Sequence, residues 1–134
     1  MWTHQESIET SASPARVWQL FADMPGWRRW NAGIEHIALN GPFAAGTTFV
    51  MRPPGADLFT STLLTVEEPR EFTDETVIDG TRVVVRHLIE ALPEGGSRVT
   101  YATEISGPQA AEFGPMVTGD FADVLAGLKR AAEK

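Results

Sequence analysis

The chain has no cysteine, which excludes disulfide bridges, a thiolate nucleophile and a cysteine-ligated metal. It has no run of lysine or arginine and no long apolar run, so we expect neither a membrane anchor nor a membrane span. Residues 1–6 (MWTHQE) show neither the basic start nor the apolar stretch of a secretory signal. Together these absences favour a cytoplasmic location.

Basic residues are also few, with 11 lysines and arginines against 18 acidic residues and a net charge of −7 at pH 7. Because an acidic surface repels phosphate backbones, nucleic acid is not an expected partner. His4, His36 and His87 fall in three separate predicted strands and match no metal-ligand spacing, so we predict neither a metal nor another cofactor. The length of 134 residues favours a single domain over 1–134.

A capped helix follows a first predicted strand at residues 2–11. Ser13 suits the N-cap position and Pro14 the first helical position. Apolar residues then recur at helical spacing on one face, at Val17, Leu20, Phe21 and Met24. The Pro25-Gly26 pair ends this helix, and a short second helix or turn places Trp27 and Trp30 side by side.

The middle of the chain has a β pattern, and short connections predict antiparallel neighbours. We predict strands near 33–40, 47–52, 58–67, 71–78, 81–91 and 97–106, separated by glycine and proline turns. After Gly107-Pro108, an apolar residue recurs every three or four positions, which predicts one long amphipathic helix. A curved sheet of seven strands cannot cover its own apolar face, so this helix must lie across it.

Several short motifs carry a family resemblance over essentially the whole chain. They are Ser13-Pro14-Ala15, Val17-Trp18, Leu20-Phe21, Asp23, Trp27, Trp30-Asn31, Gly41-Pro42-Phe43, Gly46-Thr47, Glu68-Pro69, Phe72, His87, Gly95-Gly96 and Gly107-Pro108. With these motifs the sequence resembles the SRPBCC superfamily, which includes START lipid-transfer domains and polyketide cyclases/dehydrases. The resemblance implies an α+β helix-grip fold, in which a seven-stranded curved antiparallel sheet wraps around a long C-terminal helix, with two short helices between strands 1 and 2. It transfers no catalytic motif, because the matching positions are mostly structural.

The Asp79-Gly80 pair predicts a two-residue type I′ hairpin, which fixes a register. In this register Phe72 is opposite His87, and the following hairpin places Tyr101 opposite His87. Asp74 and its cross-strand neighbours then also point to the concave face, with Cβ atoms about 5 Å apart for direct pairs and about 7–8 Å for diagonal ones. A β-bulge between these strands would instead move Asp74 to the outside.

Three interpretations of Asp74, His87 and Tyr101 remain open at this point. The side chains satisfy each other or backbone groups inside a core, as buried polar groups usually do. Alternatively, they contact the polar group of a bound ligand. In the third interpretation His87 acts as general base or acid beside the Tyr101 phenol.

A set of mostly apolar residues lies on the predicted inner faces and makes up the candidate ligand-binding wall. They are Trp30, Phe49, Met51, Phe72, His87, Ile89, Tyr101, Phe113, Val117 and Phe121. We therefore predict a protein that binds a small, largely hydrophobic molecule, lipid-like or polyketide-like, between the sheet and the C-terminal helix.

Two other functions remain open. One is a cyclase/dehydrase-type enzyme that works without a metal and uses His87 and Tyr101 as acid/base groups. The other is a protein-interaction module with no small-molecule role. The sequence also leaves the oligomeric state open, a homodimer included.

Overall fold

The computed structural model describes residues 1–134 and consists of one antiparallel sheet with helices against its concave face. The elements are β1 (Trp2–Thr10), α1 (Pro14–Ala22), a 3₁₀ helix (Met24–Arg29), β2 (His36–Leu39), β3 (Thr48–Arg52), β4 (Phe59–Glu67), β5 (Glu71–Ile78), β6 (Thr81–Ala91), β7 (Ser97–Ser106), α2 (Ala110–Thr118) and α3 (Phe121–Ala132). The strand order is β1-β7-β6-β5-β4-β3-β2. This arrangement confirms the predicted helix-grip fold, with its two short helices between the first two strands.

The first helix begins where its capping residues predict. The Ser13 hydroxyl accepts a hydrogen bond from the Arg16 amide at 3.2 Å, and Pro14 occupies the first turn. One face of α1 is buried through Val17, Trp18 and Phe21. The Trp27 indole then donates to the Phe21 carbonyl at 3.0 Å, which fixes the 3₁₀ helix against the end of α1.

The β5–β6 hairpin has the predicted turn and register. Asp79 and Gly80 have φ angles of 51° and 78°, both positive as a type I′ turn requires. Phe72 pairs with His87 and His87 pairs with Tyr101, as predicted. The one register shift on this side of the sheet lies between β4 and β5, near Leu63. The β5–β6 ladder is therefore continuous, and Asp74 points inward.

The long C-terminal helical segment extends from residue 110 to 132 and is divided at positions 119–120 into α2 and α3. Pro115 lies inside α2 and has no amide hydrogen for the helical ladder, which weakens that segment. The apolar periodicity continues through the division, so periodicity alone predicts an uninterrupted helix. None of the helices has both the length and the apolar character needed to cross a membrane.

Close backbone approach explains one glycine of α3. A Cβ atom at Gly127 would lie 2.1 Å from the Trp30 carbonyl oxygen. Because no side chain fits there, α3 packs directly against the loop after the 3₁₀ helix. That loop contains a turn in which Asn31 accepts a hydrogen bond from the Gly33 amide at 2.8 Å. It also shortens the strand predicted at 33–40, which begins only at His36.

The end of α3 is tied to the end of β1, against which the helix packs. The Glu133 carboxylate accepts hydrogen bonds from the Thr10 hydroxyl at 2.7 Å and the Ser11 amide at 3.2 Å. Lys129 lies 3.0 Å from the same carboxylate oxygen. These contacts hold the pKa of Glu133 well below its usual range, at about 2. The guanidinium of Arg16 also donates to the last carbonyls of the helix.

Candidate functional site

A cavity of about 430 Å³ lies between the sheet and the α2–α3 segment. Its wall is formed by 24 residues, 15 of them hydrophobic. Most of the predicted ligand-binding residues line it, namely Trp30, Phe49, Met51, His87, Tyr101, Phe113, Val117 and Phe121, together with Asp74. At the surface, Met116 and Ile78 of the wall are 74% and 37% exposed, so the cavity opens to solvent beside them.

Two predicted wall residues, Phe72 and Ile89, lie in the filled core instead. Phe72 is completely buried, with its ring 5.0 Å from that of Phe21 and 5.2 Å from that of Phe43. The predicted inward direction of both side chains is therefore right, but α1 and its neighbours already occupy the space in front of Phe72. Sequence periodicity indicates which face a residue is on and does not show whether that face is covered.

His87 is held by its neighbour across the β5–β6 pair. Its ring stacks on Phe72 with centroids 3.9 Å apart and an interplanar angle of 7°. Its Nδ1 lies 3.2 Å from the Phe72 carbonyl oxygen. Because a carbonyl only accepts, Nδ1 carries the hydrogen and Nε2 of the neutral ring is left as an acceptor. Burial lowers the pKa of His87 to about 3, although the Phe72 hydrogen bond opposes that change.

Asp74 faces the same space without a hydrogen-bond partner in the protein. Its Oδ2 lies 3.9 Å from His87 Nε2, which is too far for a hydrogen bond. Only 9% of Asp74 is exposed, and this burial raises its pKa from 3.8 to about 7. The predicted proximity of Asp74 and His87 is therefore observed, but the carboxyl group does not hold the imidazole in place.

Tyr101 forms the third polar side of this cluster. Its ring meets the His87 ring edge-on at 4.6 Å, and no protein group bonds its hydroxyl. Burial raises the pKa of the phenol, and the negative charges of Asp74 and Asp120 add to this rise. The cluster thus consists of a carboxyl group, a ring nitrogen and a phenol, none of which hydrogen-bonds another. No group of three or more histidine, cysteine or acidic side chains is placed to hold a metal ion.

Fifteen further wall residues lie outside the predicted ligand-binding set. They are Trp27, Asn31, Gly33, Ile34, Pro53, Pro54, Phe59, Ser61, Thr76, Ile78, Val83, Val85, Met116, Asp120 and Val124. Thr76 follows from the register, since it lies two residues after Asp74 on the same face of β5. Its hydroxyl is 2.5 Å from that of Ser61. Asp120 had no such signal, because it enters the wall through the division of the C-terminal helix.

The family model described as polyketide cyclase / dehydrase and lipid transport matches residues 1–133. A search of the curated proteins found no significant match. Among solved structures, protein MLL2253 from Mesorhizobium loti is similar with a TM-score of 0.80 at 15% identity, covering 98% of this chain and 97% of that one.

Two further solved structures share the fold. Norcoclaurine synthase from Thalictrum flavum has a TM-score of 0.77 at 14% identity, covering 99% of this chain and 87% of that one. A START superfamily protein from Mycobacterium smegmatis has a TM-score of 0.76 at 14% identity, covering 98% and 97%. At these identities the structural likeness extends to the fold alone.

Proposed function

Because the chain belongs to the polyketide cyclase/dehydrase and lipid transport family, we propose that it binds a small, largely hydrophobic molecule in the cavity between the sheet and the α2–α3 segment. The family supports hydrophobic ligand binding in general. The observation that carries the proposal for this chain is the cavity of about 430 Å³. That volume is within the range of small-molecule sites, which combine apolar walls with a few converging polar groups.

In this proposal the apolar wall contributes most of the affinity and the polar cluster sets the orientation of the ligand. Asp74, His87 Nε2 and the Tyr101 hydroxyl line the cavity and have no hydrogen-bond partner in the protein. A polar group on the ligand can therefore bond to them without displacing an existing contact. Buried hydrogen bonds of this kind discriminate between ligands because an unmatched polar group is costly to leave unpaired.

The test is binding of N-phenylnaphthylamine, an uncharged apolar fluorophore that brightens in apolar surroundings. We expect the native protein to bind it, and Val85→Trp to weaken binding at least tenfold, because Val85 lies on the cavity wall beside Asp74. Val77→Trp is the matched control, since Val77 is 59% exposed and lies outside the cavity. Equal binding by both variants would contradict a ligand site in this cavity.

One observation favours a second function, an enzyme that transfers a proton to or from its bound substrate. A general acid or base works best when its pKa is near the working pH, and burial raises that of Asp74 to about 7. His87, with a pKa lowered to about 3, is a weak base by comparison. In this alternative Asp74 transfers the proton and Tyr101 donates a hydrogen bond to the developing oxyanion. The interaction-module hypothesis stays a prediction without a specific supporting observation.

A further inference from the structure

The charged side chains on the cavity wall all have the same sign. Asp74 lies inside the cavity and Asp120 is exposed at its mouth, and no lysine or arginine contributes to the wall. His87 adds no positive charge near neutral pH, because burial lowers its pKa to about 3. A carboxylate ligand would therefore meet two acidic groups and no cation. The site therefore disfavours anionic ligands, independently of the structure of their apolar part.

No group of the protein donates a hydrogen bond to the Asp74 carboxyl group, which lies inside the cavity. Nine-tenths of the residue is buried, and the carboxyl group makes no hydrogen bond within the protein. Its nearest nitrogen, His87 Nε2, is itself an acceptor in the neutral ring, because Nδ1 donates to the Phe72 carbonyl. When Asp74 is ionised, two adjacent acceptors thus face the cavity. Since buried polar groups are normally paired, a donor brought by a ligand would complete this site.

The rest of the wall suits a positive charge as well. Aromatic rings of Trp27, Trp30, Phe49, Tyr101 and Phe121 surround the space. The faces of such rings attract cations, most strongly where water is excluded. The net charge of −7 acts in the same direction over longer distances, because it raises the local concentration of cations near the protein.

We propose that the cavity selects hydrophobic amines, in which an apolar body fills the aromatic wall and a protonated nitrogen donates to Asp74 and His87 Nε2. This inference rests on the proposed function and specifies its ligand class. It assigns Asp74 as the residue that determines specificity. Neutral alcohols offer one donor without charge and bind more weakly, and carboxylates bind weakest.

The preference for amines has a defined pH dependence. The titratable groups that face the cavity are Asp74 on β5, His87 on β6, Tyr101 on β7 and Asp120 between α2 and α3. Burial raises the pKa of Asp74 to about 7, so the charge of this group changes between pH 6 and pH 8. Burial also raises the pKa of Asp120 above its ordinary value. A bound cation favours the ionised carboxylate. Amine affinity therefore rises between these pH values, while alcohol affinity does not.

The test uses three naphthalene probes with the same two-carbon tether: naphthylethylamine, naphthylethanol and naphthylpropionate. Their dissociation constants are measured by calorimetry at pH 6 and pH 8 for the native protein and for Asp74→Asn. At pH 8 we expect the amine to bind about tenfold more tightly than the alcohol, because a charge-assisted hydrogen bond is roughly twice as strong as a neutral one. Asp74→Asn removes this preference.

Glu90→Gln is the control, since it removes one negative charge from an exposed position on β6. If Asp74 causes the amine preference, the Glu90→Gln variant keeps it. If the overall negative charge of the protein causes the preference, this variant loses it. Equal or tighter binding of the alcohol or carboxylate by the native protein overturns the amine inference and leaves the proposed function intact. Failure of all three probes to bind overturns the amine inference, while the binding of N-phenylnaphthylamine decides the proposed function separately. Circular dichroism checks that each variant is folded.

Discussion

Phe72 and Asp74 lie two residues apart on β5 and point to the same side of the sheet, but their surroundings differ completely. Phe72 is fully buried among aromatic rings that α1, the 3₁₀ helix and the loop at Phe43 supply. Asp74 faces an open cavity beneath the α2–α3 segment. His87 lies at the boundary, with one ring face against Phe72 and Nε2 towards Asp74.

The filled region contributes stability, and the open region provides space for a ligand. The filled region gains stability because apolar area is removed from water and packed closely. The open region gives up part of that gain, because it buries a carboxyl group with no partner and leaves apolar wall uncovered. Such a loss is typical of functional sites, where stability is exchanged for binding capacity.

The largest expected effect comes from replacing one phenylalanine by alanine in each region. Phe72→Ala should lower the free energy of unfolding by about 3–5 kcal/mol, because it leaves a void in the filled region. Phe113→Ala should cost roughly 1 kcal/mol or less, since Phe113 is only half-buried and already borders empty space. Urea denaturation measures both. Similar losses for the two variants would show that the regions do not differ in this way.

A second test acts on the boundary between the regions. Trp30 packs against Phe21 on the filled side and lines the cavity on the other. Gly127→Ala would place a methyl group against the Trp30 carbonyl, so α3 or the Trp30 loop must shift. We expect a loss of about 1–3 kcal/mol from this overpacking, measured by urea denaturation.

The same variant should also change the near-ultraviolet circular dichroism of the tryptophans. An unchanged stability together with an unchanged spectrum would mean that this contact does not position Trp30.

The smallest effect concerns the pH dependence of stability in the open region. Asp74 has a folded-state pKa of about 7 against an ordinary value of 3.8, so its contribution to stability is lost as pH rises between these values. His87 has a folded-state pKa of about 3 against an ordinary 6.5, so its contribution is lost as pH falls through that range. The two trends oppose each other between pH 3.8 and pH 6.5, and from pH 6.5 to about pH 7 only that of Asp74 remains.

Asp74→Asn therefore should be more stable than the native protein at about pH 8, by roughly 1–2 kcal/mol. At about pH 3 and below the difference should disappear, because the pH is then under both the ordinary and the folded-state pKa of Asp74 and the group is protonated in both states. Thermal denaturation across this pH range measures the difference. A native protein that is the more stable one at pH 8 would contradict an unpartnered Asp74.

Most of the fold could be predicted because local signals fixed each part of it. The Asp79-Gly80 turn sets the β5–β6 register, and the register brings Asp74, His87 and Tyr101 to one face. Ser13 and Pro14 mark the start of α1 in the same way. These signals act over a few residues, so the amino-acid sequence alone predicts the turn and the start of the helix.

The candidate site was less predictable, because a cavity depends on what fails to fill the space in front of a face. Phe72 and Asp74 are equivalent by periodicity, and only the distant packing of α1 distinguishes them. The Nδ1 hydrogen of His87 is donated to the Phe72 carbonyl oxygen. The spacing of side chains along the sequence does not predict this hydrogen bond to the backbone. Asp120 reaches the wall through a break in a helix whose apolar pattern continues across it.

That break between α2 and α3 has a consequence for the motions of the molecule. Arg16, Lys129 and Glu133 tie the end of α3 to its surroundings, and six of its residues are buried. In α2 only Gly114 and Thr118 are buried. Segments with fewer buried contacts open locally at lower free energy, so amide hydrogens of α2 should exchange with solvent faster than those of α3. We therefore expect the side of the cavity beneath α2 to open by local fluctuation more readily than the side beneath α3.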